Sequence, residues 1–582
     1  MAPRALHIED PMTPPHWALL QRELIRAETL ACREFYEHYF DERGYLRCVP
    51  RWGGDDGPDD GAENLLNWTM LHALGAPDIV LDLYKKGWEG HIRQYTEAKT
   101  VDVPMGRDGM YYKEFPVMFD WMHIGEGLNA FTLQGLSDPH DSALENRTRR
   151  FAGFYTGDDP QADNYDSEHR IIRSMFNGSR GPLLRKTTDL DWAGDPIEIA
   201  GRFDPGHGER DYGEMLVHFQ DYNDIVGDHP LNLGATTLAF NAYALTSEQS
   251  FRDWALEYID AWVERTEANG GLTPSNIGLD GSIGGETDGK WYGGVYGWGF
   301  SVYDPADKAI RHRPFMFNRI PYGFGNGLLL TGDQRYVDTW RRVIQAVNEN
   351  SKTVEGRTLY PRMHGDEGWY DYIERPFDEG ALAVYYWSMV EADRERVRDD
   401  EWIQYLDGKN PGYATEALER DLEAVRWRME QVRADTASAD TRMSDDMNHL
   451  VPAVTGSLTQ LMLGGLPTGR EGYPLHARVR YFDPERRRAG VPEDVAALVT
   501  RMSATETDVT LVNISQVESR TVVVQGGGYG EHQIMSATAN DQTLDVDASA
   551  YTVRLAPGSG VALTLTMRRY ANNPTLEFPW DR

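Results

Sequence analysis

The chain has 582 residues, of which 40% are hydrophobic and 26% charged, with a net charge of −34; this is the composition of an ordinary globular protein. So large an acidic excess excludes nucleic acid as a partner, because phosphate binding needs a basic surface. Two cysteines, Cys32 and Cys48, exclude a disulfide scaffold and leave open whether they pair, and no run of 18 apolar residues marks a membrane span.

The opening MAPRALHIEDPM lacks an apolar segment, so no signal peptide is visible. The compartment stays open: secreted or periplasmic if a leader was trimmed, cytoplasmic otherwise. Helical patterning then runs to about residue 465, over 17–41, 62–97, 117–155, 378–396 and near 447–464. In FRDWALEYIDAW, Phe251, Trp254, Ala255, Tyr258, Ile259 and Trp262 make one apolar stripe. YVDTWRRVIQAV repeats it with Tyr336, Trp340, Val343, Ile344 and Val347, and GATTLAFNAYAL precedes the first. Helices therefore come in pairs joined by short turns.

Three turns share a pattern. LGAPDIVLD (74–82), LTSEQSFRD (245–253) and LTGDQRYVD (330–338) each carry Leu, a bulky apolar residue six later and Asp eight later. Recurring hairpins imply a repeat architecture, weighed evenly here against chance. Long Gly- and Asp-rich segments, 156–232 and 268–316, separate the pairs, and connections this long are usually functional. The expectation is an incomplete or closed (α/α)6–7 toroid over residues 1–468. After about residue 470, β-branched runs such as DVTLVNIS and RTVVVQGGG predict an antiparallel β-sandwich over 469–582.

Polar residues concentrate in the long segments. SEHRIIRSMFNGSRGPLLRK holds Arg173, Asn177, Arg180, Arg185 and Lys186, the most basic stretch of the chain, suited to neutralising a uronate carboxylate. His229 follows Gly227-Asp228 at a loop–helix junction, where one tautomer can be fixed. In GKWYGGVYGWGF (289–300), Lys290 precedes Tyr296 by six residues. Nearby positive charge eases loss of a phenolic proton. Trp291, Tyr292 and Trp298 are candidate sugar platforms. Arg362, His364, Asp366, Glu367, Trp369 and Tyr372 (360–376) form another candidate cleft wall. WGGDDGPDDGAEN (52–64) does not fit an EF-hand and reads as a solvated acidic loop, though a Ca²⁺ ion there is left open. Asp120, His123 and Glu126 read as a buried polar network or a sugar-binding face, the former for His123.

The order Asn177, His229, then Lys290 with Tyr296, on helical pairs of a toroid, resembles polysaccharide lyase family 38, associated with alginate and glucuronan cleavage. The resemblance covers about residues 60–465. It implies that Asn177 and His229 contact the substrate carboxylate, that Tyr296 transfers the proton in β-elimination, and that Lys290 stands where the family has Arg. Lys supplies charge without a bidentate fork. The partner implied is an anionic polysaccharide, with no metal or cofactor required. Two alternatives stand beside the lyase. One is an inverting glycoside hydrolase needing carboxylates roughly 6.5–9.5 Å apart, with Glu126, Asp221, Asp224, Asp366 and Glu367 as candidates. The other is a non-catalytic glycan-binding protein.

Overall fold

The computed structural model describes residues 5–582 except 54–55, 102, 195–202, 204–209, 221, 294–300, 305–308, 313–319 and 541. Its helical part is an α/α toroid. Among the described residues, six helices line the inside: Trp68–Leu74, Asn129–Ser137, Thr236–Thr246, Ile320–Thr331, Ala381–Ser388 and Gly456–Leu463. The first two are buried at every residue. Helices without a polar face must be enclosed on all sides. The ring closes through the Trp387 ring seated on Gly325, a Tyr386 hydroxyl bond of 2.8 Å to the Gly464 carbonyl, and packing of Gly456–Leu463 on Trp68–Leu74.

Amphipathic helices wrap this ring. Asp78–Glu97, Ser142–Thr156, Gln249–Ala268 and Arg335–Asn348 turn one apolar stripe inward, as the spacing predicts for 251–262 and 336–347. The three turns of shared pattern each join an inner helix to its outer partner, and Val80, Phe251 and Tyr336, the bulky residue of each, are buried. His16–Tyr39 is a single long helix rather than a pair. It packs on Tyr413–Ala434, a helix absent from the expected elements. Cys32 and Cys48 are free thiols, both buried. No helix among the described residues is long and apolar enough to cross a membrane.

Two five-stranded sheets follow. One runs in the order Ala5–Ile8, Ala550–Leu555, Arg520–Gly526, Val479–Asp483, Arg488–Ala489. The other runs Val495–Met502, Glu506–Asn513, Gly560–Arg568, Gln533–Ala539, Gln542–Ala548. The pairings are antiparallel except the first strand, which lies parallel to Ala550–Leu555 with Ala5 opposite Thr552. Residues 5–8 thus contribute a strand to the sheets expected from residue 469 onward.

Val495–Met502 is an edge strand, and edge strands present unpaired backbone groups. Here the His16–Tyr39 helix covers it. The Gln21 amide donates to the Ala497 carbonyl (2.8 Å) and accepts from the Ala497 N–H (3.0 Å). Gln21→Ala leaves both groups buried without partners, so denaturant titration is expected to show a loss of about 2–4 kcal/mol. On the same helix, Glu28 is fully buried; its Oε1 accepts from the Val454 N–H and its Oε2 has no donor. Burial, reinforced by Asp421, raises its pKa well above 4.5. The folded state therefore holds this proton more tightly than the unfolded chain. The resulting stability is present below pH 4.5 and disappears as pH rises through the folded pKa. Glu28→Gln should abolish that part of the pH dependence, read from melting temperatures across the pH range.

Candidate functional site

The residues that converge are acidic, and they lie on two short helices packed against each other, Pro58–Glu63 and Trp121–Gly127. Pro58 at the first helical position presets the backbone, and Asp59 and Asp60 favour the positive end of the helix dipole. Contact is close because Gly127 has no side chain: a Cβ there would lie 3.1 Å from the Asp59 Cα. The 52–64 segment is thus corrected from a solvated loop. Asp56, Asp59, Asp60 and Glu63 are all buried.

Asp120 caps the second helix and orients its histidine. Its carboxylate accepts from the Met122 N–H (2.8 Å) and the His123 N–H (3.3 Å), and its Oδ2 lies 2.6 Å from His123 Nδ1. Phe119 stacks on the imidazole with centroids 4.5 Å apart, and Trp52 packs on Phe119 at 4.7 Å. The ring is clamped, with its Nδ1 committed to Asp120. One ligand atom each from Asp59, His123 and Glu126 lies within 4.8 Å of the others. The His123 side chain is 23% exposed, while Asp59 and Glu126 are buried.

The surrounding charge is unbalanced. Asp56 is 3.5 Å from Arg51 and accepts from the Ser444 N–H (2.9 Å). Glu63 takes a double contact from Arg470 and accepts from Asn448 Nδ2 (2.8 Å). Neither Asp59 oxygen has a hydrogen-bond donor. Burial raises Asp56, Asp59, Asp60 and Glu63 above the ordinary carboxylate range, with neighbouring carboxylates adding to it. Burial opposes charge on His123, but Asp120 outweighs it and holds the imidazole up to about 10.

The expected lyase residues lie elsewhere. Asn177 is fully buried and fully engaged. Its Oδ1 accepts from Trp121 Nε1 (3.2 Å) and the Tyr155 hydroxyl (2.5 Å); its Nδ2 donates to the Ser174 and Met175 carbonyls (3.0 Å each) and to Asn232 (3.2 Å). His229 is 1% exposed, and burial lowers its pKa to about 4. Tyr296, Trp298 and Asp221 lie outside the described residues. The basic stretch is spent on internal pairs: Arg170–Glu264, Arg173–Asp163, Arg185–Asp191 and Lys186–Asp224. Arg180 lies over the Tyr112 ring at 4.3 Å. These cations offer an anionic sugar little.

Another group does come together. Lys290 Nζ and the Tyr292 hydroxyl both meet Asp366, at 2.8 and 2.9 Å. His364 lies 4.7 Å from Trp291, 4.6 Å from Tyr292 and 4.9 Å from Trp369, centroid to centroid. The 360–376 segment is an antiparallel hairpin, Arg357–Gly365 with Gly368–Ile373, and Arg362 faces Asp371 at 3.7 Å. Asp366 and Glu367 are exposed and Asp224 is half-buried; of the candidate carboxylates named from sequence, Glu126 alone belongs to a cluster of three or more such groups among the described residues. The carboxylate that Glu126 approaches, within 4.8 Å, is Asp59. The missed signal was the PDDGAE run itself, in which proline and the first-turn acids mark a helix start.

A family model described as a domain of unknown function (DUF8034) matches residues 6–360. The chain belongs to that family. No relative is found among curated proteins. Solved structures similar to this DUF8034 member include cellobiose 2-epimerase from Bacillus thermoamylovorans B4167, at 10% identity and TM-score 0.34, covering 66% of this chain and 87% of the other. They also include a family 76 glycoside hydrolase (mannosidase) from Bacteroides thetaiotaomicron VPI-5482, at 10% identity and TM-score 0.32, covering 74% and 98%. A third is a β-1,3-1,4-glucanase from Paenibacillus sp. X4, at 10% identity and TM-score 0.31, covering 78% and 96%. These are glycoside hydrolases and an epimerase, not polysaccharide lyases. The family 38 resemblance, the lyase assignment and β-elimination are corrected accordingly. If Asn177 is a structural strut, Asn177→Ala should cost about 2–4 kcal/mol, seen as a lowered melting temperature without any glycan present.

Proposed function

We propose that this chain is a carbohydrate-active enzyme of the glycoside hydrolase class, with Asp59, His123 and Glu126 as its reacting centre. The observation that carries this reading is their convergence: three ionisable side chains from two segments, within 4.8 Å of one another, in a toroid of the kind seen in glycan-processing enzymes. Fold likeness alone would not support it. One oxygen of each carboxylate lies within 4.8 Å of the other, so the two acids are near enough to act on one glycosidic bond.

The substrate favoured is a neutral glycan. Cations of the basic stretch are held by carboxylates of the same chain, so a repeating anionic polymer would meet the net charge of −34 with little compensation. The Trp291–His364–Trp369 cluster supplies flat apolar surface of the sort sugar rings stack on.

Incubation with neutral α- and β-linked glucans and mannans should release reducing ends without the ultraviolet absorbance of an unsaturated sugar. Asp59→Asn and Glu126→Gln should each lower that rate by at least about 100-fold while keeping the wild-type circular dichroism. Undiminished cleavage in both variants would remove the cluster from the reaction. Glycan binding without cleavage by the wild-type chain would make it a binding protein.

A further inference from the structure

The same cluster has the makings of a metal site. We infer that Asp59, His123 and Glu126 bind one divalent transition-metal ion of the zinc or manganese kind. The inference rests on the reading above only for the location of the reacting centre.

Three observations support it. First, the donor set is one imidazole and two carboxylates, which suits borderline divalent ions and leaves coordination positions open, as in catalytic rather than structural sites. An all-oxygen cation such as calcium would gain little from the imidazole. Second, His123 is prepared as a ligand. Its Nδ1 faces the buried Asp120 carboxylate at 2.6 Å, which leaves Nε2 as the donor atom and fixes the ring plane. Phe119 holds that plane from one side. Third, Asp59 is 3% exposed, yet neither of its oxygens meets a hydrogen-bond donor. Buried carboxylates without donors are costly, and a bound cation would supply the partner that hydrogen bonds do not. The local charge agrees: Asp56, Asp59, Asp60, Glu63, Asp120 and Glu126 are all buried in this region, with Arg51 on Asp56 and Arg470 on Glu63 among the described residues. A ligand spread of up to 4.8 Å must tighten slightly to reach metal–ligand bonds of roughly 2.0–2.2 Å. Glu126 and His123 lie on one short helix, and Asp59 sits across the Gly127 contact, so a small shift of one helix suffices.

The test uses the full chain, stripped with a chelator and titrated calorimetrically with Zn²⁺, Mn²⁺, Mg²⁺ and Ca²⁺ separately. The expected result is one Zn²⁺ or Mn²⁺ per chain, with Mg²⁺ and Ca²⁺ at least about 10-fold weaker. Asp59→Asn and His123→Gln should abolish the binding, and Asp120→Asn should weaken it by about 10- to 100-fold. Should these variants fail to fold, pulsed electron paramagnetic resonance of Mn²⁺ in the wild-type chain decides: coupling to a single imidazole nitrogen supports the site. The inference is overturned by no binding, by binding undiminished in both ligand variants, or by Mn²⁺ without nitrogen coupling. Its fate separates from that of the hydrolase reading. Metal bound without glycan cleavage retains the site and removes the hydrolase; cleavage by chain that binds no metal does the reverse.

Discussion

The molecule depends on one constraint: its inner helices have almost no polar surface. Trp68–Leu74 and Asn129–Ser137 bury every residue, so neither has a face to offer water, and each must be covered along its whole circumference. Inner neighbours cover two sides and an outer amphipathic helix covers a third. What the outer helices leave uncovered, the sheets close. Gly464 lies at the end of the last inner helix with Val499 of the edge strand against it, and Arg480 reaches from a strand to the Leu136 carbonyl at the end of another inner helix. Toroid and sheets thus share one apolar interior.

That interior makes the acidic cluster informative. Removing a carboxylate from water is expensive unless donors or cations replace the solvent. The chain pays that cost repeatedly between Asp56 and Glu126, with partners for some groups and none for the oxygens of Asp59. Placing the unpartnered carboxyl at a helix N-terminus softens the penalty without removing it. An uncompensated charge is tolerated where function requires it, which is why the centre of the site is sought here rather than among the exposed, well-paired ions of the long connections.

Much of the architecture was legible in sequence. The 3.6-residue stripes of 251–262 and 336–347 are faces of outer helices, and the Leu–apolar–Asp pattern marks turns from inner to outer helix because each such turn solves the same packing problem. The change to β-branched runs near residue 470 is equally visible. The site was less so. Asn177 and His229 have the chemistry of catalytic groups, but Asn177 spends its amide on five internal hydrogen bonds and His229 is closed off from solvent, and no pattern of residue types reveals such burial. Acidic residues among glycines read as solvated because most such loops are; only the facing helix, some 60 residues later in the chain, reveals that these are enclosed. Among the aromatic candidates, Trp291, Tyr292 and His364 do meet, because a hairpin returns the chain beside them.

The parallel strand at residues 5–8 has a consequence for how the molecule is made. Its partner, 550–555, is more than 500 residues away along the chain, so the pairing cannot form until everything between has been synthesised. Contacts of such long range are slow to form because the loop they close is so large. The strand at 5–8 and its partner thus act as a clasp between distant parts of the chain, and a change at residue 5 acts on a sheet rather than on a loose segment.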